Sequence, residues 1–371
     1  TASGVFKLGE VTNLIKESKW PTAGPQGFQV ANSARFNRSS SDYLTRSTGT
    51  PDSRRKATFS VWVKRGDLSS SDNMDLFCIT TDTTKRVHVR FTADDFEFIN
   101  YDGTTNARLT TDRKFRDISA WYHTVVVLDS TQGTASNRIK LYINGVQETS
   151  FSTATYPSEN YDFPLNFANT QIGKSDVTNA YFGGYMSEVL YLDGTAAAVT
   201  DLGEFNSQTG IWVPKVVTGL TFGNNGYYLP FTNSGALGED FSGEDNDFTV
   251  NNLTSLDQTT DTCSTNFATL NPLIPLGSNI TYSDGNLTIT PGTSDYKTTA
   301  STITVGSGKW YAEFKAVSGQ NGSTDVSIGI VGADTFLAST GSKAMSAYTN
   351  SFSYGSGGLV KQYNNSTIRT D

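Results

Sequence analysis

From Phe28 to about Gly194 the sequence alternates apolar and polar residues in short runs that recur roughly every ten residues, with no helical pattern between them. Phe59, Val61 and Val63 alternate with Ser60, Trp62 and Lys64; Val87, Val89 and Phe91 with His88 and Arg90; Ile139, Leu141 and Ile143 with Lys140 and Tyr142. Neighbouring side chains on a strand point to opposite sides, so each run has one face that must leave water. Asn144-Gly145 lies between two such runs, and a type I′ hairpin loop prefers that dipeptide because both positions need positive φ. These features predict an all-β chain: an antiparallel two-sheet jelly roll followed by a second β-sandwich, with a short N-terminal helix ahead of them.

Composition narrows the function classes. Two Cys in 371 residues exclude a disulfide scaffold, and two His leave little material for a dedicated zinc site. No apolar run approaches the roughly 20 residues of a spanning helix, the longest compact one being Val125 to Leu128, so membrane insertion is not expected. Residues 1–200 carry 21 Lys+Arg and 21 Asp+Glu, and residues 201–371 carry 7 and 15. Nothing there attracts polyphosphate, so nucleic acid is not an expected partner. The chain opens at Thr1 without a Met, which suggests a lost leader, and its first twenty residues lack the pattern of a signal peptide.

Four segments follow along the chain. In 1–27, Leu8, Val11, Leu14 and Ile15 recur at helical spacing before Trp20-Pro21 closes the run, which predicts an amphipathic anchor that docks on another surface. Residues 28–200 make the jelly roll. Residues 201–275 read as a polar acidic linker holding a short helix within TAAAVTDLGEFNSQTGIWVPK (195–215), and 276–371 as the second sandwich.

Four stretches, ATFSVWVKRGDL (57–68), WYHTVVVLDS (121–130), IKLYINGVQ (139–147) and YFGGYMSEVLYLDG (181–194), resemble in this order the strands of laminin-G-like, concanavalin A-like domains. SGVFKLGEVTNLIKESKWP (3–21) and the whole run from LDGT (192–195) through TGIWVPK (209–215) and FGNNGYYLPF (222–231) to NFATLNPL (266–273) resemble structural proteins of tailed phages, especially marine ones. GKWYAEFKAV (308–317) and TDVSIGIVGAD (324–334) are similar to the first strands of a SPRY-type sandwich, of which the chain holds only part. Residues 335–371 supply few strong alternating runs, so that sandwich is expected to lack strands.

Candidate chemistry is sparse. Retaining glycosidases of this fold need an acid and a nucleophile about 5.5 Å apart on one strand face, and no Glu-x-Asp-x-Glu string occurs. Glu97 with Asp102 and Glu188 with Asp193 are five apart, hence on opposite faces. Glu188 is expected as a strand-end carboxylate bonded to a neighbouring loop. His88 and His123 read as satisfied or solvent-facing strand histidines, Cys78 as a buried small hydrophobe, and its pairing with Cys263 has no support. Calcium is the one ion the residues suggest: Asp245 and Asp247 in the acidic run 239–247, and Asp94 and Asp95, which the laminin-G resemblance implies only weakly. A solvated acidic loop is the competing reading. Trp62, Tyr101 and Tyr142 fall on the polar phase of strands or at loop tips, where aromatic faces bind sugars or pack on a neighbouring subunit.

The expectation is therefore a phage virion structural protein and not an enzyme. It would be a tail fibre or related appendage, homo-oligomeric with a trimer among the options, docking by its N-terminus to other virion proteins of the tail or neck and displaying sandwiches to host-surface glycan. Two rivals stay open: an architectural decoration or adaptor protein without a receptor, and a polysaccharide depolymerase of the same fold.

Overall fold

The computed structural model describes residues 28–370 apart from 69–72, 81–83, 166–168, 176–179, 275–278, 293–296, 318–325, 338–347, 349–350, 356–358 and 363–365. The anchor residues Leu8, Val11, Leu14 and Ile15 lie outside the described residues.

Two eight-stranded antiparallel sheets face each other. The first runs in the order Val146–Gln147, Ile139–Ile143, Trp121–Asp129, Lys56–Arg65, Gly184–Asp193, Ser33–Phe36 and Gln258–Thr259, with Tyr227–Leu229 also paired to Gly184–Asp193. The second runs Phe151–Thr155, Thr104–Lys114, Asp95–Asp102, Lys85–Thr92, Asn73–Thr80, Asn169–Ile172, Tyr43–Ser47 and Thr249–Asn251. Phe59, Val61, Val63, Val87, Val89, Phe91, Leu141 and Ile143 enter one buried core between the sheets, as their alternation requires. The hairpin turn is also as read: Asn144 has φ 50° and Gly145 φ 78°.

Residues 201–275 depart from the expected linker. Their strands Tyr227–Leu229, Thr249–Asn251 and Gln258–Thr259 extend both sheets, and Tyr227, Leu229, Phe231, Leu237, Phe248 and Leu253 lie in the main core. The expected helix within 195–215 is reduced to one 3-10 turn, Val199–Asp201, followed by the hairpin Gly203–Phe205 with Trp212–Pro214. The same segment lies on the outer face of the first sheet. Leu202 and Phe222 pack on Val125, Val127, Leu190 and Leu192, and Trp212 joins Trp62, Trp121 and Tyr185. This layer is fastened by a buried ion pair, Lys64 Nζ to Asp261 Oδ2 at 2.8 Å, with Nζ also bonded to Asn266 and to the Phe267 carbonyl.

Beyond residue 276, Ile280–Ser283 and Thr288–Pro291 form a hairpin, and Ser327–Val331, Ser351–Gly355, Leu359–Gln362 and Ser366–Thr370 a four-stranded antiparallel sheet. Three strands thus fall in 335–371, where the sequence showed few alternating runs. The expected strand 308–317 is not among the strands of the described residues, and Trp310, Tyr311, Phe314 and Val317 are exposed. No helix among the described residues is long and apolar enough to cross a membrane.

Candidate functional site

The outer face of the second sheet is polar because its inward phase takes the apolar residues. Asp75, Arg90, Glu97 and Thr110 stand directly across adjacent strands. Glu97 is fully buried; Arg90 bonds its Oε1 at 2.7 and 2.9 Å, and Arg108 and Thr110 bond its Oε2 at 2.6 and 2.8 Å. Both oxygens are thereby engaged, which fits a cross-strand ion-pair network better than an acid awaiting substrate. Asp75 Oδ1 bonds His88 Nδ1 at 2.6 Å with both residues buried.

On the first sheet, His123 is buried between Trp62, stacked at 4.6 Å, and Trp212, stacked at 6.0 Å. Trp212 Nε1 donates to His123 Nδ1, so the proton of the neutral ring sits on Nε2, 2.8 Å from Ser60 Oγ. Burial pulls its pKa down to about 3. Both histidines are thus satisfied strand residues.

Glu188 differs from the strand-end carboxylate expected. It sits mid-strand at a bulge between Ser187 and Leu190, with φ 50°, and Tyr228 donates its hydroxyl to Oε2 at 2.6 Å. Burial pushes its pKa up to about 7. Burial, with Glu188 nearby, also raises the Cys263 thiol; Cys78 and Cys263 are not joined in a disulfide.

The aromatic candidates do not form a platform. Trp62 is only 4% exposed, because residues from beyond 195 cover the face it was expected to display. Tyr142 packs against the apolar cluster beneath that layer, and Tyr101 carries the Arg86 guanidinium 4.3 Å above its ring. The calcium candidates do not converge either. Asp94 pairs with Arg116 at 2.6 Å and Asp95 with Lys114, while Asp247 accepts from the Asp240 amide and Asp245 is exposed. Among the described residues no group of three His, Cys, Asp or Glu side chains is placed to hold a metal ion. Asp240 organises the acidic loop instead, accepting from the amides of Tyr228, Ser242 and Asn246.

An open cleft among the described residues lies elsewhere. Loop 48–55, crossing from one sheet to the other, lines with Asp162 an open cleft of about 630 Å³. That size falls in the range of about 300–1,000 Å³ usual for ligand pockets. Sequence reasoning missed it; the signal was TGTPDSRR (48–55), small polar residues around a Pro between two strand runs.

Residues 38–199 match a laminin-G-type family model described as the concanavalin A-like lectin/glucanases superfamily. That stretch has the concanavalin A-like jelly-roll fold, in agreement with its two-sheet architecture. Among solved structures, the chain is similar to a candidate carbohydrate binding protein from Bacteroides ovatus, with 15% identity, 63% of this chain and 60% of that one covered, and a TM-score of 0.40. It is also similar to domain 4 of AbnA, a GH43 extracellular arabinanase from Geobacillus stearothermophilus, solved with arabinotriose (18% identity, 39% and 64% covered, TM-score 0.30). A third is a heptameric SAP-like pentraxin from Limulus polyphemus (13% identity, 53% and 96% covered, TM-score 0.33). This chain therefore spans under two thirds of the first two. No curated protein matches the sequence.

Proposed function

We propose that this protein recognises glycan without cleaving it, as a tail fibre or related appendage of a phage virion. The observation that carries the glycan reading is the match of residues 38–199 to the concanavalin A-like lectin/glucanases superfamily. Binding is favoured over cleavage because Glu97, the buried carboxylate on the outer face of the second sheet, has both oxygens committed to Arg90, Arg108 and Thr110. The virion placement rests on the sequence resemblance of 3–21 and of the run 192–273 to phage structural proteins, and the anchor role of Leu8, Val11, Leu14 and Ile15 belongs to it. Two measurements test this reading. The purified chain should retain oligosaccharides and release no reducing ends from them, and immunogold with an antibody to residues 28–275 should label an appendage of intact particles. Reducing-end release would establish the depolymerase, and labelled particles with no glycan retention the architectural protein.

A further inference from the structure

The cleft at loop 48–55 is held open by residues far away in sequence. Asn225, which is 2% exposed, clamps the backbone of Gly49 from both sides: Gly49 N donates to its Oδ1 at 2.7 Å and its Nδ2 donates to the Gly49 carbonyl at 3.2 Å. Asn225 N and Asp52 N both donate to Asp193 Oδ2, at 3.2 and 2.9 Å. Asn224 fixes the next side chain, giving its amide and Nδ2 to the Asp52 carboxylate at 3.2 and 2.6 Å. Gly223 makes the approach feasible: its φ is 76°, and a Cβ there would lie 2.4 Å from the Asp193 carbonyl oxygen. The FGNN run that opens the 222–231 motif therefore presets the shape of this loop, and a preset loop loses less entropy on binding.

Charge and exposure then select the ligand class. The lining holds Asp52 and Asp162 against Arg54 and Arg55, so its formal charges cancel and it exerts no net pull on an anion or a cation. Arg54 is spent on the carbonyls of Phe163 and Asp162, and Asp52 on Asn224. Arg55 and Asp162 remain, with side chains 45% and 48% exposed and joined at 2.8 Å through Nε and Oδ1. This pair places guanidinium donors beside a carboxylate acceptor. Two adjacent hydroxyls on a sugar ring offer the complement, one accepting from the guanidinium and the other donating to the carboxylate. Thr50 and Ser53 add hydroxyls to the lining, and no aromatic ring does.

We propose that the cleft formed by loop 48–55 and Asp162 is a subsite for a neutral glycan, with Arg55 and Asp162 binding a vicinal diol. The proposal rests on the glycan reading above and adds where and what kind of sugar is bound. Its test uses the full chain with mannopentaose, maltopentaose and an alginate pentasaccharide as probes, followed by saturation-transfer NMR. Arg55→Gln and Asp162→Asn each remove one charge-assisted contact from an exposed position, and each should weaken binding of a neutral probe about tenfold, the equivalent of 1.4 kcal/mol. A neutral probe that binds both variants as it binds the unchanged chain would overturn the cleft and leave the glycan reading standing. Binding of alginate alone would overturn the neutral assignment. Failure of all three probes to bind the unchanged chain would overturn the glycan reading and the cleft with it.

Discussion

Trp212 Nε1 donates to His123 Nδ1 at 2.9 Å across 89 positions of sequence, fastening the outer layer to the first sheet. The bond is buried and the imidazole acceptor has no water to turn to. Trp212→Phe would keep the stacked ring and orphan Nδ1, which costs about 1–3 kcal/mol. Urea unfolding of the variant should show that loss; an unchanged midpoint would mean that the bond contributes nothing.

The same indole sets a limit on two glycines. A Cβ on Gly145 would come within 2.2 Å of Trp212 and one on Gly203 within 2.4 Å, whereas Gly103, also at positive φ, has nothing within 4 Å. Gly103→Ala should therefore show only left-handed strain, about 1 kcal/mol, and Gly145→Ala that strain plus about 1–3 kcal/mol of overpacking. Equal melting temperatures for the two variants would contradict the packing described for Trp212.

Lys64 and Asp261 form the buried counterpart of these apolar contacts, and burial lowers the Lys64 pKa. Lys64→Met would strand the Asp261 carboxylate with the Trp121 indole and the Phe267 amide as its remaining donors, at a cost of about 3–5 kcal/mol. Hydrogen exchange should speed up first in residues 261–267. Uniform acceleration over the whole molecule would show that the layer and the sandwich open together.

Much of the sandwich was legible because its long strands bury one face: the phases at 59–63, 87–91 and 139–143 and the turn at Asn144-Gly145 need only local residues to be read. Residues 201–275 were not legible as part of the sandwich, since their strands 227–229, 249–251 and 258–259 are too short to carry a period. Trp62 was misjudged for the same reason, as a polar-phase residue is exposed only if nothing covers it, and its cover comes from around Trp212. Glu97 required cross-strand register: Arg90, opposite it, is the partner that engages Oε1. The cleft needed both kinds of knowledge, because Asn224 and Asn225 reach loop 48–55 from more than 170 positions away.

Two titrating groups oppose each other in acid. His123, lowered to about 3 by burial, binds its proton more readily when unfolded, so its contribution to stability is lost as pH falls below about 6.5. Glu188, raised to about 7 by burial, binds its proton more readily when folded, so acidification from 7 to about 4.5 adds stability. Between about 4.5 and 6.5 the two slopes, each about 1.4 kcal/mol per pH unit, cancel. Glu188→Gln keeps an acceptor for Tyr228 and removes one of them. Unfolding free energies of this variant should fall steadily from pH 6.5 to 4.5 relative to the unchanged chain; parallel profiles would rule out Glu188 as a buried titrating group.

The segment 308–317 presents large apolar side chains to solvent. Trp310 is 67% exposed, Tyr311 85% and Val317 81%, in a run whose alternation is that of a strand but which is not one of the strands of the structure as described. In the four-stranded sheet, Ile330 stands directly opposite Phe352 and both are exposed, so that sheet also has an uncovered apolar face. Exposed apolar side chains of this kind favour association between chains, through burial of their surface. Light scattering of the full chain should show mass rising with concentration, and Trp310→Ser combined with Phe314→Ser should suppress the rise while leaving the melt of the residue 28–275 region in place. A monomer at every concentration for the unchanged chain would mean that these residues find their cover within one chain.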